Sequence, residues 1–86
     1  MKVRIVFTGR GYDVSEKLPG ELTLEEGASV EDALTLLSQQ TPEDVSLPAT
    51  CLVAVSGKHL GTLANFESRV LHEGEEILLI APVAGG

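Results

Sequence analysis

Polar and apolar residues alternate from Lys2 to Thr8, with Val3, Ile5 and Phe7 on one side and Lys2 and Arg4 on the other. A period of two marks a strand with one buried face. Gly9-Arg10-Gly11-Tyr12-Asp13 breaks the alternation and predicts a turn or loop. Residues 21–25 alternate again, with Leu22 and Leu24 pointing inward, so the two segments predict an antiparallel hairpin with a long connection.

The period changes after Gly27. Val30, Ala33, Leu34 and Leu37 fall at i, i+3, i+4 and i+7, one stripe of a helix. Ser29-Val30-Glu31-Asp32 resembles a capping box, with Asp32 in place of the longer Glu or Gln. Glu31 and Asp32 lie in the first turn, where the helix dipole favours negative charge. Pro42 requires the helix to end by about Thr41. Residues 42–49 then read as a loop and residues 50–56 as a third strand. Gly57-Lys58 reads as a tight turn into a short segment around His59 and Leu60, and residues 63–68 as irregular chain with room for one 3₁₀ turn. Glu73-Gly74-Glu75-Glu76 predicts a turn, and residues 77–81 are apolar on both faces, as in a central strand.

The order is therefore strand, strand, helix, strand, short strand, strand. A mixed sheet of four or five strands packed on one main helix is an α+β layout. With the apolar last strand inserted beside the first, it is a β-grasp. Residues 1–81 are expected to form this domain and residues 82–86 a flexible tail.

The chain has 86 residues, enough for one domain with one modest core. Six Lys/Arg against thirteen Asp/Glu give a net charge of −7, which argues against phosphate-backbone binding and for basic protein partners. The single cysteine, Cys51, excludes an internal disulfide and a cysteine cluster. The apolar run at the start breaks too early for a signal peptide, and no stretch reaches the ~20 apolar residues of a membrane span. No nucleic-acid or membrane partner is expected, and the expected location is cytoplasmic.

The end of the sequence carries the candidate chemistry. Pro82 cannot donate a ladder hydrogen bond, so pairing should loosen there. The five residues 82–86 span about 17 Å when extended. A thread ending in Gly85-Gly86 could enter a slot that any Cβ would block. A carboxylate becomes a good electrophile once adenylated, and a sulfur nucleophile can then displace AMP. The competing reading is a frayed tail that ends in two glycines by chance.

Pro82-Val83-Ala84-Gly85-Gly86 is similar to the terminal motif of the ubiquitin-like sulfur carriers, most closely the small subunit of molybdopterin synthase. Leu71-His72-Glu73-Gly74-Glu75 resembles that family's leucine-x-x-glycine-acid turn, and the element order matches over the whole domain. The resemblance implies a carrier that is not itself an enzyme and binds no cofactor. An activating enzyme of the ubiquitin-activating type would use MgATP to adenylate Gly86. A persulfide donor would convert it to a thiocarboxylate. The tail, Pro82, Val83, Ala84 and Gly85, would then thread into the large subunit of molybdopterin synthase. Ala81 stands where such carriers often have a second proline, and Val55-Ser56-Gly57 where they often have valine-asparagine-glycine. Gly57-Lys58-His59-Leu60 also looks like the matching turn of ubiquitin. A thiamine-pathway carrier serving a thiazole synthase, and a modifier conjugated to lysine through Gly86, therefore stay open, as does an interaction module with an inert tail.

If Val53, Val55, Ile77 and Leu79 face the helix, then Val6, Leu52, Ala54, Leu78 and Ile80 face outward as a partner-binding patch beside the root of the tail. Leu78 and Ile80 are expected to be substantially exposed; the competing reading lays the loop after Pro42 over them. Cys51 is in phase with Val53 and Val55 and reads as a small core hydrophobe. His59 and His72 are isolated, so no metal site is expected. Glu73, Glu75 and Glu76 read as a solvent-facing charged turn, Ser29 as an N-cap, and Gly9-Arg10-Gly11 lacks the rest of a phosphate loop.

Overall fold

The computed structural model of the chain describes residues 1–9, 18–43 and 47–81. The elements are β1 (Lys2–Thr8), β2 (Glu21–Thr23), α1 (Val30–Gln40), β3 (Leu52–Val55), β4 (Lys58–Thr62) and β5 (Glu76–Ile80). They form a five-stranded sheet in the order β2-β1-β5-β3-β4 with α1 packed on one face. This is the α+β β-grasp. The last strand lies at the centre, parallel to β1 and antiparallel to β3. Paired along both edges, with one face on the core and the other half-buried, the strand is apolar from Ile77 to Ile80, and its one charged residue, Glu76, is paired with Arg4.

The helix follows its local signals. The Ser29 hydroxyl accepts from the Asp32 N–H at 3.2 Å, and an Asp32 carboxylate oxygen accepts from the Ser29 N–H at 2.9 Å. Each side chain thus satisfies one donor that the first turn cannot. Thr41 is the C-cap in extended conformation, as a residue before proline must be. Val30, Ala33 and Leu37 are buried, and Leu34 is half-buried at the margin of the stripe. They meet Val3, Ile5, Val53, Val55, Ile77 and Leu79 from the inner face of the sheet.

Several expectations shift. β2 is three residues long rather than five; beyond it Leu24 still pairs with Met1, its N–H donating to the Met1 carbonyl and its carbonyl accepting from the Met1 amino group, each at 2.7 Å, and Glu25 has no β1 residue opposite it. β3 begins at Leu52, since a turn closed by the Cys51 N–H on the Pro48 carbonyl at 3.0 Å occupies residues 48–51. The tight turn is Ser56-Gly57, one residue earlier than expected. Both residues have positive φ, 48° and 86°, the geometry that matches the twist of a two-residue hairpin. In β4 the register shifts so that His59 faces Ala54 and Gly61 faces Val53. Leu60 is the extra residue, and it packs against the core. Residues 63–68 hold no 3₁₀ turn; they fold back on β4 through the bridge between Gly61 and Phe66. A Cβ on Gly61 would stand 2.5 Å from the Asn65 carbonyl oxygen, so only glycine permits that return.

Candidate functional site

The pairing register brings the outward residues into two rows. Val6 faces Leu78, which faces Ala54; Thr8 faces Ile80, which faces Leu52. Residues directly opposite on one face have Cβ atoms about 5 Å apart, so each row is in contact. The next row is polar, with Arg4 opposite Glu76 and their side chains 3.3 Å apart. The surface is therefore an apolar field bounded by charge at one end, with Ala81 at the other.

The five patch residues are not equally accessible. Val6 is 37% exposed and Leu52 40%, while Leu78 and Ile80 are half-buried and Ala54 is only 2% exposed. This corrects the expectation that Ala54, Leu78 and Ile80 stand out. Ala54 sits on a middle strand between Leu78 and His59, both with longer side chains than its methyl group. Leu78 and Ile80 have strand neighbours on both sides. Val6 escapes because β2 pairs with β1 only from Lys2 to Arg4. Of the described residues of the loop expected to compete for this face, Pro42, Glu43 and Leu47 line a groove against α1 instead.

The start of β5 is held by a cluster that the sequence does not announce. An Arg69 guanidinium nitrogen lies 2.7 Å from the Glu75 carboxylate, which also accepts from the Ser56 hydroxyl at 3.0 Å and the His72 N–H at 2.8 Å. Burial opposes the charge on Glu75, but these three donors and the Arg69 charge outweigh it and hold its pKa below the ordinary carboxylate range. The Glu75 side chain is only 14% exposed, so its reading as a solvent-facing residue is corrected. Its neighbours are also engaged: Glu73 accepts from the Lys2 N–H at 3.0 Å. A glutamate that ties a strand, a hairpin turn and a loop together cannot be told from a surface glutamate by sequence spacing. The far end of β5 is simpler. The Ala81 N–H donates to the Thr8 carbonyl at 2.8 Å, and Ala81 is buried.

Pro82, Val83, Ala84, Gly85 and Gly86 lie outside the described residues. Cys51 is fully buried, and burial pushes its thiol pKa up, which disfavours the nucleophilic thiolate. No group of three or more His, Cys, Asp or Glu among the described residues stands together to hold a metal. No helix among them is long and apolar enough to cross a membrane.

A family model described as ThiS family matches residues 11–86. The chain belongs to the ThiS family. ThiS-family proteins are ubiquitin-like sulfur carriers, small and non-catalytic, that work with adenylating enzymes of the ubiquitin-activating type and with sulfur-using synthases. As a ThiS-family member the chain is a carrier rather than an enzyme, and the β-grasp described above is the fold of that family. No curated protein matches the chain.

Proposed function

We propose that the chain carries sulfur as a thiocarboxylate on Gly86. The observation that supports this most is the position of Ala81. It is fixed to β1 at the end of the central strand, next to the row of Thr8, Ile80 and Leu52. A partner seated on Val6 and Leu52 would stand beside the end of β5, from which Ala81 leads into the tail sequence. The activating enzyme would dock there and transfer AMP from MgATP to the Gly86 carboxylate, releasing pyrophosphate. The terminal sulfur of a persulfide donor would displace AMP to give an acyl disulfide, and a thiol would then cleave its S–S bond, releasing the thiocarboxylate and leaving a disulfide on the donor side. The tail Pro82-Val83-Ala84-Gly85-Gly86 would then enter the large subunit of a molybdopterin synthase in the cytoplasm. Similarity of that segment to the molybdopterin carriers supports this pathway. Ala81 and Ser56 depart from that pattern and weaken the choice of one pathway, so the thiamine-type carrier, with a thiazole synthase as acceptor, stands as the second reading.

The test incubates the protein with its adenylating enzyme, MgATP and a persulfide donor, then measures an intact mass. Replacement of one oxygen by sulfur, located on the C-terminal peptide, is the expected result. Deleting Gly86 should abolish it and leave the melting temperature nearly unchanged. Gly85→Val should act similarly by thickening the thread. Recovery of Gly86 only in branched peptides on lysine would replace the carrier with a modifier, and failure of adenylation with Gly85 and Gly86 intact would sink both. Sulfur transfer to the large molybdopterin-synthase subunit and not to a thiazole synthase decides the pathway.

A further inference from the structure

On the helix side, away from Val6 and Leu52, a groove runs between α1 and the returning segment 63–66. Leu34, Leu47, Leu63 and Phe66 line it, all half-buried. Glu31 and Glu43, both exposed, stand on its rim. The cations among the described residues, Lys2, Arg4, Lys58 and Arg69, all lie elsewhere. Three of them are engaged with Glu21, Glu76 and Glu75. No ion pair among the described residues neutralises Glu31 or Glu43.

We propose that this groove is a second docking surface, for a basic amphipathic helix of a partner protein. Charge selects the class of partner. A second copy of a chain with net charge −7 would be repelled, as would a nucleic acid, whereas Lys or Arg flanking an apolar stripe would meet both the rim and the floor. Backbone hydrogen bonding selects the conformation. Most of the described wall is closed to an added strand: the interior of α1 satisfies its own backbone, and the Thr62, Leu63, Ala64, Asn65 and Glu67 N–H groups donate to the Asn65, Cys51, Ala49, Thr62 and Leu60 carbonyls. An occupant would therefore have to satisfy most of its own backbone, as a helix does. The groove borders an 11-residue helix, long enough for about three turns of a partner. Because the site is on the opposite side of the sheet from the patch, it does not depend on the chemistry proposed for Gly86.

The probe is a short amidated peptide with leucine and lysine at amphipathic helical spacing, titrated into the full-length protein while backbone amide NMR shifts are followed. Expected shifts cluster at Leu34, Ser38, Leu63 and Phe66. Ser38→Lys, an exposed change that places a cation in the groove, should weaken binding about tenfold, and Glu31→Gln with Glu43→Gln about three- to tenfold. Deleting Gly86 should leave the affinity unchanged, so failure here is distinct from failure of the sulfur-carrier reading. A peptide with glutamate in place of lysine should not bind. Equal binding of that peptide, shifts spread over all acidic surfaces, or shifts confined to Val6 and Leu52 would each overturn the proposal. So would concentration-dependent shifts of the same residues without peptide, which would indicate a second copy instead.

Discussion

The two faces of the central sheet are made from the same strands and similar side chains, yet they serve opposite ends. On the inner face Val3, Val53, Val55, Ile77 and Leu79 have no exposure at all. On the outer face, one residue along each strand, Val6 is 37% and Leu52 40% exposed. The inner residues hold the fold together, because removing apolar surface from water is the main favourable term. The outer residues contribute little while the protein is alone, and under the docking proposed above their burial by a partner would add to binding. Their cost in solubility is limited by the half-burial of Leu78 and Ile80 and by the Arg4–Glu76 pair beside them.

The largest effect should come from the inner face. Ile77→Ala removes buried methyl groups at the centre of the sheet and should cost about 2–5 kcal/mol. In a domain of this size that is a drop in melting temperature of roughly 10 °C or more, readable by circular dichroism. A drop of only a few degrees would show that the two faces are less distinct than their burial implies.

Glu75 comes next, because it anchors the strand that both faces share. Glu75→Ala removes three hydrogen bonds from one carboxylate and should cost about 2 kcal/mol. The folded pKa lies below the unfolded one, so the carboxylate contributes its full stability above the unfolded value. That contribution is lost as pH falls through the depressed folded value. The wild type should therefore lose more melting temperature on acidification than Glu75→Gln does. Parallel curves for the two proteins would remove the anchor role.

The smallest effect on stability should come from the outer face. Leu52→Glu should change stability by about 0.5 kcal/mol or less, since the side chain already meets water. It should nonetheless weaken association with the adenylating enzyme, measured by calorimetry. Leu52 is a cleaner test than Leu78, where half-burial would mix folding with binding. If Leu52→Glu unfolds the protein, the outer face belongs to the core.

Whatever depends on neighbours along the chain was legible in residue order. The alternation of Val3, Ile5 and Phe7 set the first strand, and the Ser29–Asp32 box with the Val30, Ala33, Leu37 stripe set the helix. The all-apolar run after Glu76 set the central position of the last strand. These are local or periodic signals, and each is a direct consequence of backbone geometry. The tertiary structure alone decided what depends on neighbours across strands. Ala54 faces outward yet is covered, because its methyl group lies between the longer side chains of Leu78 and His59 on the neighbouring strands. Glu75 sits in a charged tetrapeptide yet is nearly buried, because folding brings Arg69 and Ser56 to it. The groove between α1 and Phe66 exists only because Gly61 lets the chain return against β4. Burial is a property of the surroundings in space, and residue order fixes those only through the completed fold.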